Sequence, residues 1–467
     1  MMTSRTIALA LALSCAHARS QPPPKQLSWY FAHAPFAMPT VATPQFPQRD
    51  FRITDYGANG NGQVLNTAAF AQAMKACSDA GGGRVIVPAG VWLTGPIEFL
   101  SHVDLHLEQG ALIQFTKDHT SYLAEHGNVL SPIYAHDCED IAITGEGILD
   151  GAGDSWRPVK KGKMTATQWQ ELQRSGGMLS PDGKIWWPSR ETMQNDRVRP
   201  YMVSVDRCRR ILIQGVTLRN SPKFVFCPQH STDLTLDHAH IFNEWWAQNG
   251  DGIDISACKR VVIYGCTVNA GDDGICMKSS GSSPDGPALE DILVAGCTVL
   301  RAHGGFVIGS NTDGGMHDIF VSDCVFIGTD IGLRFKSNMG RGGLVNDIFV
   351  SDIVMRNIVN EAVLFDTYYE DVPAGSTRRT ERPTDKTPEF RDFHISHIDC
   401  QGATTAIAIT GLPGMPVRDV SFDSVTIRAT RGLTATQAKN IDLHDVRLDV
   451  TENPVYQADN TAEIKVH

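Results

Sequence analysis

Short runs of alternating apolar and polar residues recur along the chain, and each run opens with an aspartate or an arginine. They begin at residues 140, 210, 233, 260, 291, 318, 347, 392 and 419, with DIAITGEGILDG and RVVIYGCTV as examples. Alternation at every second position is typical of β-strands. Most successive starts lie 23 to 31 residues apart. A period of this size predicts units that stack and bury their faces on neighbouring units.

A second apolar run follows within each unit, as in GIDIS at 252, GICMKS at 274, GFVIGS at 305 and GLRFKS at 332. The second and fourth residues of these runs are apolar and are predicted to point into a core. The opposite parity carries Asp254, Lys278, Arg334 and Lys336, which must face solvent or a ligand. We therefore predict an all-β fold, a right-handed parallel β-helix.

The remaining segments complete this architecture. Asn66 is a predicted N-cap of a helix with Phe70, Met74 and Cys77 on one face, and such a helix would cover the open end of the solenoid. Two intervals are too long for one coil and predict insertions near 150–205 and 367–391. We expect a single β-helix domain over residues 49–467, preceded by a Pro-rich segment at 19–48.

The first 18 residues are similar to a secretory signal peptide. Arg5 precedes an apolar run at 7–13, and the small-residue pattern Ala16-His17-Ala18 follows. A buried N-terminal helix is the alternative, which the prolines at 22–24 disfavour. We expect export, to the periplasm or the outside, and no other segment is apolar over the ~20 residues of a membrane span.

The cysteines allow a few further interpretations. A lipoprotein anchored through Cys15 is an alternative to simple export, but Ala12 stands where such motifs usually carry Leu. Cys266, Cys297 and Cys324 occupy the same place in successive units and are predicted to stack in the core. A zinc site is disfavoured because the chain has no CxxC pair and no histidine cluster. Disulfide pairing cannot be assigned from the sequence.

The formal net charge of the 467 residues is -11. This balance disfavours nucleic acid as a partner. It would also repel an acidic polymer, unless positive charge is concentrated at a binding site.

Carboxylates cluster in two neighbouring segments, NGDGIDIS at 249–256 and NAGDDGICMKSS at 269–280. Asp251 and Asp273 each precede the glycine of a strand, one unit apart. Because parallel strands stack ~4.8 Å apart, these carboxylates are predicted to be lateral neighbours. Asp272 lies beside them, and His303 joins from the third unit.

This arrangement is suited to inverting hydrolysis of a glycoside, in which one carboxylic acid protonates the leaving oxygen and another carboxylate activates water. Crowded like charges should raise at least one pKa and keep the acid protonated. Room for the water requires acid and base roughly 6.5–9.5 Å apart. Arg334 and Lys336, from the fourth unit, are candidates to hold a sugar carboxylate.

At these residues the chain resembles the polygalacturonase family, glycoside hydrolase family 28, with its pectin-lyase-like solenoid. The four motifs of that family read here NGDGID, AGDDGI, AHGGFVIGS and LRFKS, and the resemblance extends from Asp55 onward. One departure is Gly250, where the family usually has Thr. The long insertion near 150–205 resembles that of bacterial exo-acting members.

The resemblance implies a role for each residue of the cluster. Asp272 would be the general acid, Asp251 and Asp273 would hold and activate the water, and His303 would tune the acid. Arg334 and Lys336 would bind galacturonate at the cleavage point, together with a tyrosine that is either Tyr368 or Tyr369. Asn249 is a further candidate for substrate binding.

Several of these residues have simpler interpretations. Asp254 is expected to support the site, and His303 taken alone would more often be structural. Lys278 is either a substrate contact or a solvated surface residue. Trp245 and Trp246 either stack on sugar rings or fill a turn.

The predicted function is exo-acting, inverting hydrolysis of α-linked galacturonic acid residues in pectic oligo- or polysaccharides. We expect a monomer without cofactor or metal. A rhamnogalacturonan-directed hydrolase is the first alternative. A pectate lyase, which normally uses calcium, and a non-catalytic glycan-binding β-helix are the others, and the paired acids of AGDDGI with His303 favour hydrolysis over both.

Overall fold

The computed structural model describes residues 25–124, 128–281, 288–369 and 382–467. The predicted signal peptide at 1–18 and Cys15 lie outside these ranges, and so does the middle of the predicted insertion at 367–391. Each typical coil contributes three short strands, such as Lys259–Tyr264, Thr267–Asn269 and Asp273–Lys278, and each strand pairs in parallel with its equivalents in neighbouring coils. The stack is a right-handed parallel β-helix, which confirms the predicted fold.

The strands form three parallel rows, and within the described residues the first two rows join into one 23-stranded sheet. The first row contains Asp50–Arg52, Gly83–Val87, Val103–Leu107, Glu139–Gly145, Arg209–Gln214, Thr232–Asp237, Lys259–Tyr264, Leu289–Ala295, Met316–Ser322, Leu344–Val345, Ile348–Arg356, Glu389–Gln401, Val417–Ala429, Ala438–Val450 and Ala462–Val466. The second contains Gly90–Thr94, Ala111–Phe115, Ile148–Asp150, Thr217–Arg219, His240–Phe242, Thr267–Asn269, Thr298–Leu300 and Val325–Ile327.

The third row is a separate 12-stranded sheet, here called the site sheet. Its strands are Ile97–Glu98, Ile133–His136, Val203–Asp206, Phe226–Gln229, Ile253–Ser256, Asp273–Lys278, Gly304–Ile308, Leu333–Lys336, Glu361–Asp366, Thr405–Thr410, Arg431–Thr436 and Tyr456–Ala458. In the central strands the predicted parity is confirmed, since Ile253, Ile255, Ile275 and Met277 are completely buried in the core.

The backbone conformation explains the aspartate or arginine that opens each repeat. All nine opening residues adopt left-handed backbone, with φ between 50° and 60°, a region that aspartate tolerates better than most residues. The parallel pairing between neighbouring strands leaves these opening residues out. Arg209 pairs with Glu139 and Ile211 with Ile141, so that Arg210 and Asp140 stand out of register and form an ion pair (Nε–Oδ1 2.6 Å).

The predicted rows of buried cysteines and the capping helix are also found. Cys266, Cys297 and Cys324 are at most 1% exposed, and the ten cysteines of the described residues are free and buried. The capping helix covers Thr67–Asp79 and buries Phe70.

The capping role predicted for the Asn66 side chain is wrong. Asn66 occupies the N-cap position without a side-chain capping hydrogen bond. Its side chain is buried and instead ties together the backbone of Asn59, Val64 and Leu93.

The α-helices of the described residues are Leu27–His33, Thr67–Asp79, Ala166–Arg174 and Arg190–Gln194, and 3-10 turns occur at Ile53–Tyr56, His119–Tyr122, Gly153–Ser155, Lys161–Lys163 and Asp196–Val198. Within the same ranges, no helix combines the length and the apolar character that crossing a membrane would require.

Residues 25–48 form an N-terminal strap across the outside of the first row. Tyr30 packs among outward-facing apolar residues of that row, including Val262, Leu293 and Phe320. Lys25 pairs with Asp323 at 2.8 Å. The strap therefore covers an apolar outer face that solvent would otherwise wet.

The chain between Asp150 and Val203 leaves the coil as a small subdomain, here called the insertion. Its antiparallel strands are Val159–Lys160, Met178–Leu179 and Ile185–Trp187, and its own core contains Val159, Trp169 and Trp186.

Two buried arginines fix the insertion to the β-helix. Arg157 donates to the carbonyl of Ser221 and pairs with Glu244. Arg199 donates to the carbonyls of Pro222 and Gln248. Each guanidinium has several acceptors, so the subdomain is held next to the turn that carries NGDGID.

Candidate active site

The site sheet brings the predicted aspartates together. Ile253 pairs with Ile275, which makes Asp251 and Asp273 neighbours on adjacent strands. One carboxylate oxygen from each of Asp251, Asp272 and Asp273 lies within 4.8 Å of the others. The nearest oxygens of the three carboxylates are thus closer than the 6.5–9.5 Å expected between acid and base, because strand spacing and adjacency in sequence hold the three groups together.

Asp273 is surrounded by positive charge. It accepts hydrogen bonds from Lys336 Nζ at 2.7 Å and from Arg334 Nη1 at 3.0 Å. Burial alone would raise the pKa of Asp273, but the charges of Lys336 and Arg334 outweigh it and lower the pKa. Asp273 is therefore an ionised carboxylate, and the two cations already have a partner before any ligand binds.

Lys278 forms a second buried ion cluster. Its ammonium lies 3.3 Å from Asp251 Oδ2 and also pairs with Asp254. Both carboxylates are almost inaccessible to solvent, so Lys278 is not a solvated surface residue. Burial raises the pKa of Asp251 despite the attraction of Lys278. Asp254 pairs with Lys278 and also lines the larger cavity of the site.

Asp272 is paired with His303. The strand register sets Asp273 opposite Gly304, and His303 Nδ1 lies 3.0 Å from Asp272 Oδ1. Burial would raise the pKa of Asp272, but the hydrogen bond from His303 lowers it overall. A raised pKa is therefore found at Asp251 and not at Asp272, because burial and then the neighbouring carboxylates raise the pKa of Asp251, whereas His303 lowers that of Asp272.

The structure separates the two candidate tyrosines. The ring of Tyr369 lies 4.8 Å from Lys336 Nζ and 5.4 Å from Arg334 Cζ and faces the site. Tyr368 is 7% exposed and packed away. Asn249 also faces the site, and its Oδ1 accepts a hydrogen bond from Arg199 of the insertion at 3.1 Å.

Two cavities meet at the Asp272–His303 pair. The larger, of about 380 Å³, is lined by Tyr201, Phe224, Cys227, Gln229, His230, Asn249, Asp251, Asp254, Ser256, Asp272, Asp273, Lys278, Ser280, Ser310, Asn311, Lys336, Arg341 and Tyr369. The smaller, of about 180 Å³, is lined by Lys163, Trp245, Ala270, Gly271, Arg301, Ala302, His303, Gly328 and Asp330. Asp272 belongs to the first and His303 to the second, so this pair stands at the boundary.

The two tryptophans have different environments. Trp245 is 39% exposed and lines the smaller cavity. Trp246 packs against the core of the insertion. The turn-filling interpretation therefore describes Trp246, whereas Trp245 offers a ring to a ligand.

At two positions of the motifs, steric crowding explains why the residue is glycine. A Cβ at Gly250 would lie 2.7 Å from the Cβ of Ala247, so the Thr usual in the family does not fit this turn. A Cβ at Gly309 would lie 1.7 Å from the carbonyl oxygen of Lys336. Gly309, with φ of 101°, lets the end of its strand approach the backbone of Lys336 closely.

Several residues of the site were missed by sequence reasoning. Tyr201 and Phe224 stack at 4.9 Å between ring centres, and Phe224 also lies 4.3 Å from Lys278 Nζ. Arg341 lines the larger cavity, and Lys163 reaches His303 from the insertion. These residues lie outside the four motifs and mostly in loops, where the repeat gives no register.

The charges favour acid–base chemistry. Three carboxylate oxygens at this spacing could also surround a cation, but Lys278, Lys336 and Arg334 already neutralise Asp251 and Asp273. One ionised carboxylate, one carboxyl with a raised pKa and one carboxyl paired with an imidazole can together donate and accept protons.

Comparisons with known proteins agree with this chemistry. The model of the glycosyl hydrolases family 28 matches residues 159–448. A probable polygalacturonase of Vitis vinifera is 26% identical over 428 residues, 86% of this chain and 79% of that protein. The exo-poly-alpha-D-galacturonosidase of Dickeya chrysanthemi is 27% identical over 404 residues, 80% of this chain and 65% of that protein.

A solved structure is similar as well. The exopolygalacturonase of Thermotoga maritima has a TM-score of 0.71 and 28% identity, with 88% of this chain and 94% of that chain covered. The family match spans more than half of this chain and includes Asp251, Asp272, Asp273 and His303. The chain therefore belongs to the glycosyl hydrolases family 28 and is a glycoside hydrolase.

Proposed function

We propose that the enzyme cleaves α-linked galacturonic acid residues from the ends of pectic chains. The observation that carries this proposal is the position of Lys336 and Arg334, two cations that both touch Asp273, next to a cavity that Lys336 and Asp273 line. Cations next to catalytic acids suit a sugar that carries a carboxylate. The names of the relatives from Dickeya chrysanthemi and Thermotoga maritima support an exo-acting galacturonan hydrolase.

In the proposed mechanism, Asp273 and Asp251 hold the water, and the ionised Asp273 accepts its proton. Asp272 protonates the glycosidic oxygen. Burial raises the pKa of Asp272, but the hydrogen bond from His303 and, to a smaller extent, the charge of Lys336 lower it in the ligand-free site. A substrate carboxylate bound to Lys336 would weaken the contribution of Lys336, which shifts the pKa of Asp272 upwards as the substrate binds.

The exo-acting mode is inferred from the insertion. It is anchored by Arg157 and Arg199 beside the larger cavity, and Tyr201 at its end lines that cavity. A fixed subdomain in this position would stop a polysaccharide from passing straight along the site sheet. One sugar would then occupy the larger cavity, with the leaving chain directed towards Trp245 in the smaller one.

The inverting outcome rests on the family resemblance, because the close spacing of the carboxylates gives it no support. Action as a monomer without cofactor, and export through residues 1–18, are further parts of the proposal.

The function is tested with a panel of pectic oligosaccharides of defined structure. We expect galacturonic acid from unsubstituted galacturonan, with new reducing ends and without the ultraviolet absorbance of an unsaturated sugar. That absorbance would indicate a lyase, and binding without cleavage a glycan-binding protein. Preference for galacturonate-capped rhamnogalacturonan fragments would support the alternative substrate.

A further inference from the structure

Lys163, on the insertion, reaches the catalytic centre with all three of its ammonium hydrogens. Its Nζ lies 2.9 Å from the carbonyl oxygen of Gly271, 3.3 Å from that of Trp245 and 3.2 Å from His303 Nε2. An ammonium has three donors and no acceptor. Three acceptors at hydrogen-bond distance therefore satisfy it completely and fix its position.

This contact determines which nitrogen of His303 carries the ring proton. Since the ammonium only donates, Nε2 must present its lone pair to Lys163, and the proton then resides on Nδ1. Nδ1 is the atom 3.0 Å from Asp272 Oδ1. We infer that Lys163 is a positioning residue, which holds His303 in the neutral Nδ1–H tautomer so that the ring donates to Asp272.

Asp330 favours the opposite tautomer of His303. Its carboxylate lies 3.7 Å from His303 Nε2 and would favour a proton on that nitrogen. The charged groups that contact the ring nitrogens are thus Asp272 at Nδ1, with Lys163 and Asp330 at Nε2. Without Lys163, the attraction of Asp330 would draw a proton to Nε2.

The tautomer matters for the proposed function, on which this step rests. With Nδ1–H bonded to Oδ1 of Asp272, the other carboxyl oxygen is left to carry the acid proton. That proton passes to the glycosidic oxygen as the C–O bond breaks, and the oxygen keeps the bonding electrons. The ring retains its own proton and stabilises the new carboxylate. A lone pair on Nδ1 would instead repel the ionised carboxylate of Asp272, and would draw the proton of the protonated carboxyl towards the ring and away from the glycosidic oxygen.

The first test substitutes Lys163→Met, with Lys161→Met as the matched control. Lys161 is an exposed lysine of the same 3-10 turn, and its loss removes the same charge. We expect Lys163→Met to lower kcat by about 10- to 100-fold, as for other partners that orient a histidine, with little change in KM. Lys163→Arg keeps a donor and should retain more activity than Lys163→Met.

A second readout needs no substrate. Nitrogen-15 spectra of the ligand-free enzyme, with His303→Gln to assign the ring, should show Nδ1–H in the parent. In Lys163→Met the proton should move to Nε2 or occupy both nitrogens, and adding Asp330→Asn should partly restore Nδ1–H and kcat.

Unchanged ring signals in folded Lys163→Met, or an equal loss of kcat in Lys161→Met, would overturn the inference. Inactivity of the parent enzyme on every galacturonan would instead overturn the proposed function, and the spectra would still decide the tautomer.

Discussion

Lys336 donates a 2.7 Å hydrogen bond to Asp273, which lies two strands earlier in the site sheet. The pair lowers the pKa of Asp273, so the carboxylate stays ionised at pH values well below neutral. The ammonium therefore serves the proposed base as well as the substrate.

The first prediction concerns Lys336→Met. Without the ammonium the pKa of Asp273 rises, and protonation disables the base at a higher pH. The acidic limb of kcat/KM should therefore move to higher pH, and kcat/KM at the optimum should fall by about 10- to 100-fold with the loss of a charge-assisted contact of roughly 1.5–3 kcal/mol. Lys75→Met, which removes an exposed lysine, is the control. If the acidic limb of the pH profile does not move, Lys336 does not control the pKa of the base.

The second prediction concerns the acid. Asp272→Asn should lower kcat on galacturonan by two or more orders of magnitude, about the contribution of general acid catalysis, with a small effect on KM. An aryl galacturonide with a good leaving group needs less protonation, so the substitution should lower kcat on that substrate far less. Equal losses on both substrates would contradict the assignment of Asp272.

The third prediction concerns stereochemistry. Direct attack of water should give the β-anomer first from an α-linkage. Proton magnetic resonance recorded before mutarotation measures this directly. An initial α-anomer would mean a covalent intermediate, which the short spacing of the carboxylates makes the specific alternative.

The fourth prediction concerns stability. Lys278→Met leaves Asp251 and Asp254 buried without their cation and should destabilise the fold by about 3–5 kcal/mol at neutral pH. Burial raises the pKa of both carboxyls, so they gain protons as pH falls and the loss should shrink in mild acid. Denaturant titration at two pH values measures both effects. Adding Asp254→Asn to Lys278→Met should restore part of the lost stability. If it restores none, an uncompensated buried charge is not the cause of the destabilisation.

The fifth prediction concerns the mode of attack. With the insertion beside the larger cavity, the viscosity of polygalacturonan should fall slowly relative to the appearance of reducing ends. Capillary viscometry alongside a reducing-sugar assay makes the comparison. Rapid loss of viscosity at low conversion would show an open, endo-acting groove.

The repeat made much of this molecule predictable. A period near one coil sets the strand register, and the register alone makes Asp251 and Asp273 neighbours and sets Asp272 opposite His303. The opening aspartates are visible in sequence because each coil needs a left-handed residue at the same point.

What the sequence did not reveal lies where periodicity ends. Lys163 and Arg199 reach the site from an insertion with no repeat, so no register connects them to His303 or Asn249. The order of the pKa values depends on the burial of each carboxyl and on which cation or imidazole contacts it. Those are tertiary details, and they placed the raised pKa at Asp251 instead of Asp272.

The strap gives this solenoid an order of assembly. Residues 25–48 leave the ribosome before any coil of the β-helix, yet Tyr30 packs against Val262, Leu293 and Phe320, which are synthesised hundreds of residues later. The earliest segment of the described chain must therefore dock after those coils have formed, and its aromatic residues remain uncovered until then. Once docked, it joins coils that would otherwise contact only their nearest neighbours, so that a coil beneath the strap cannot fray without also releasing it.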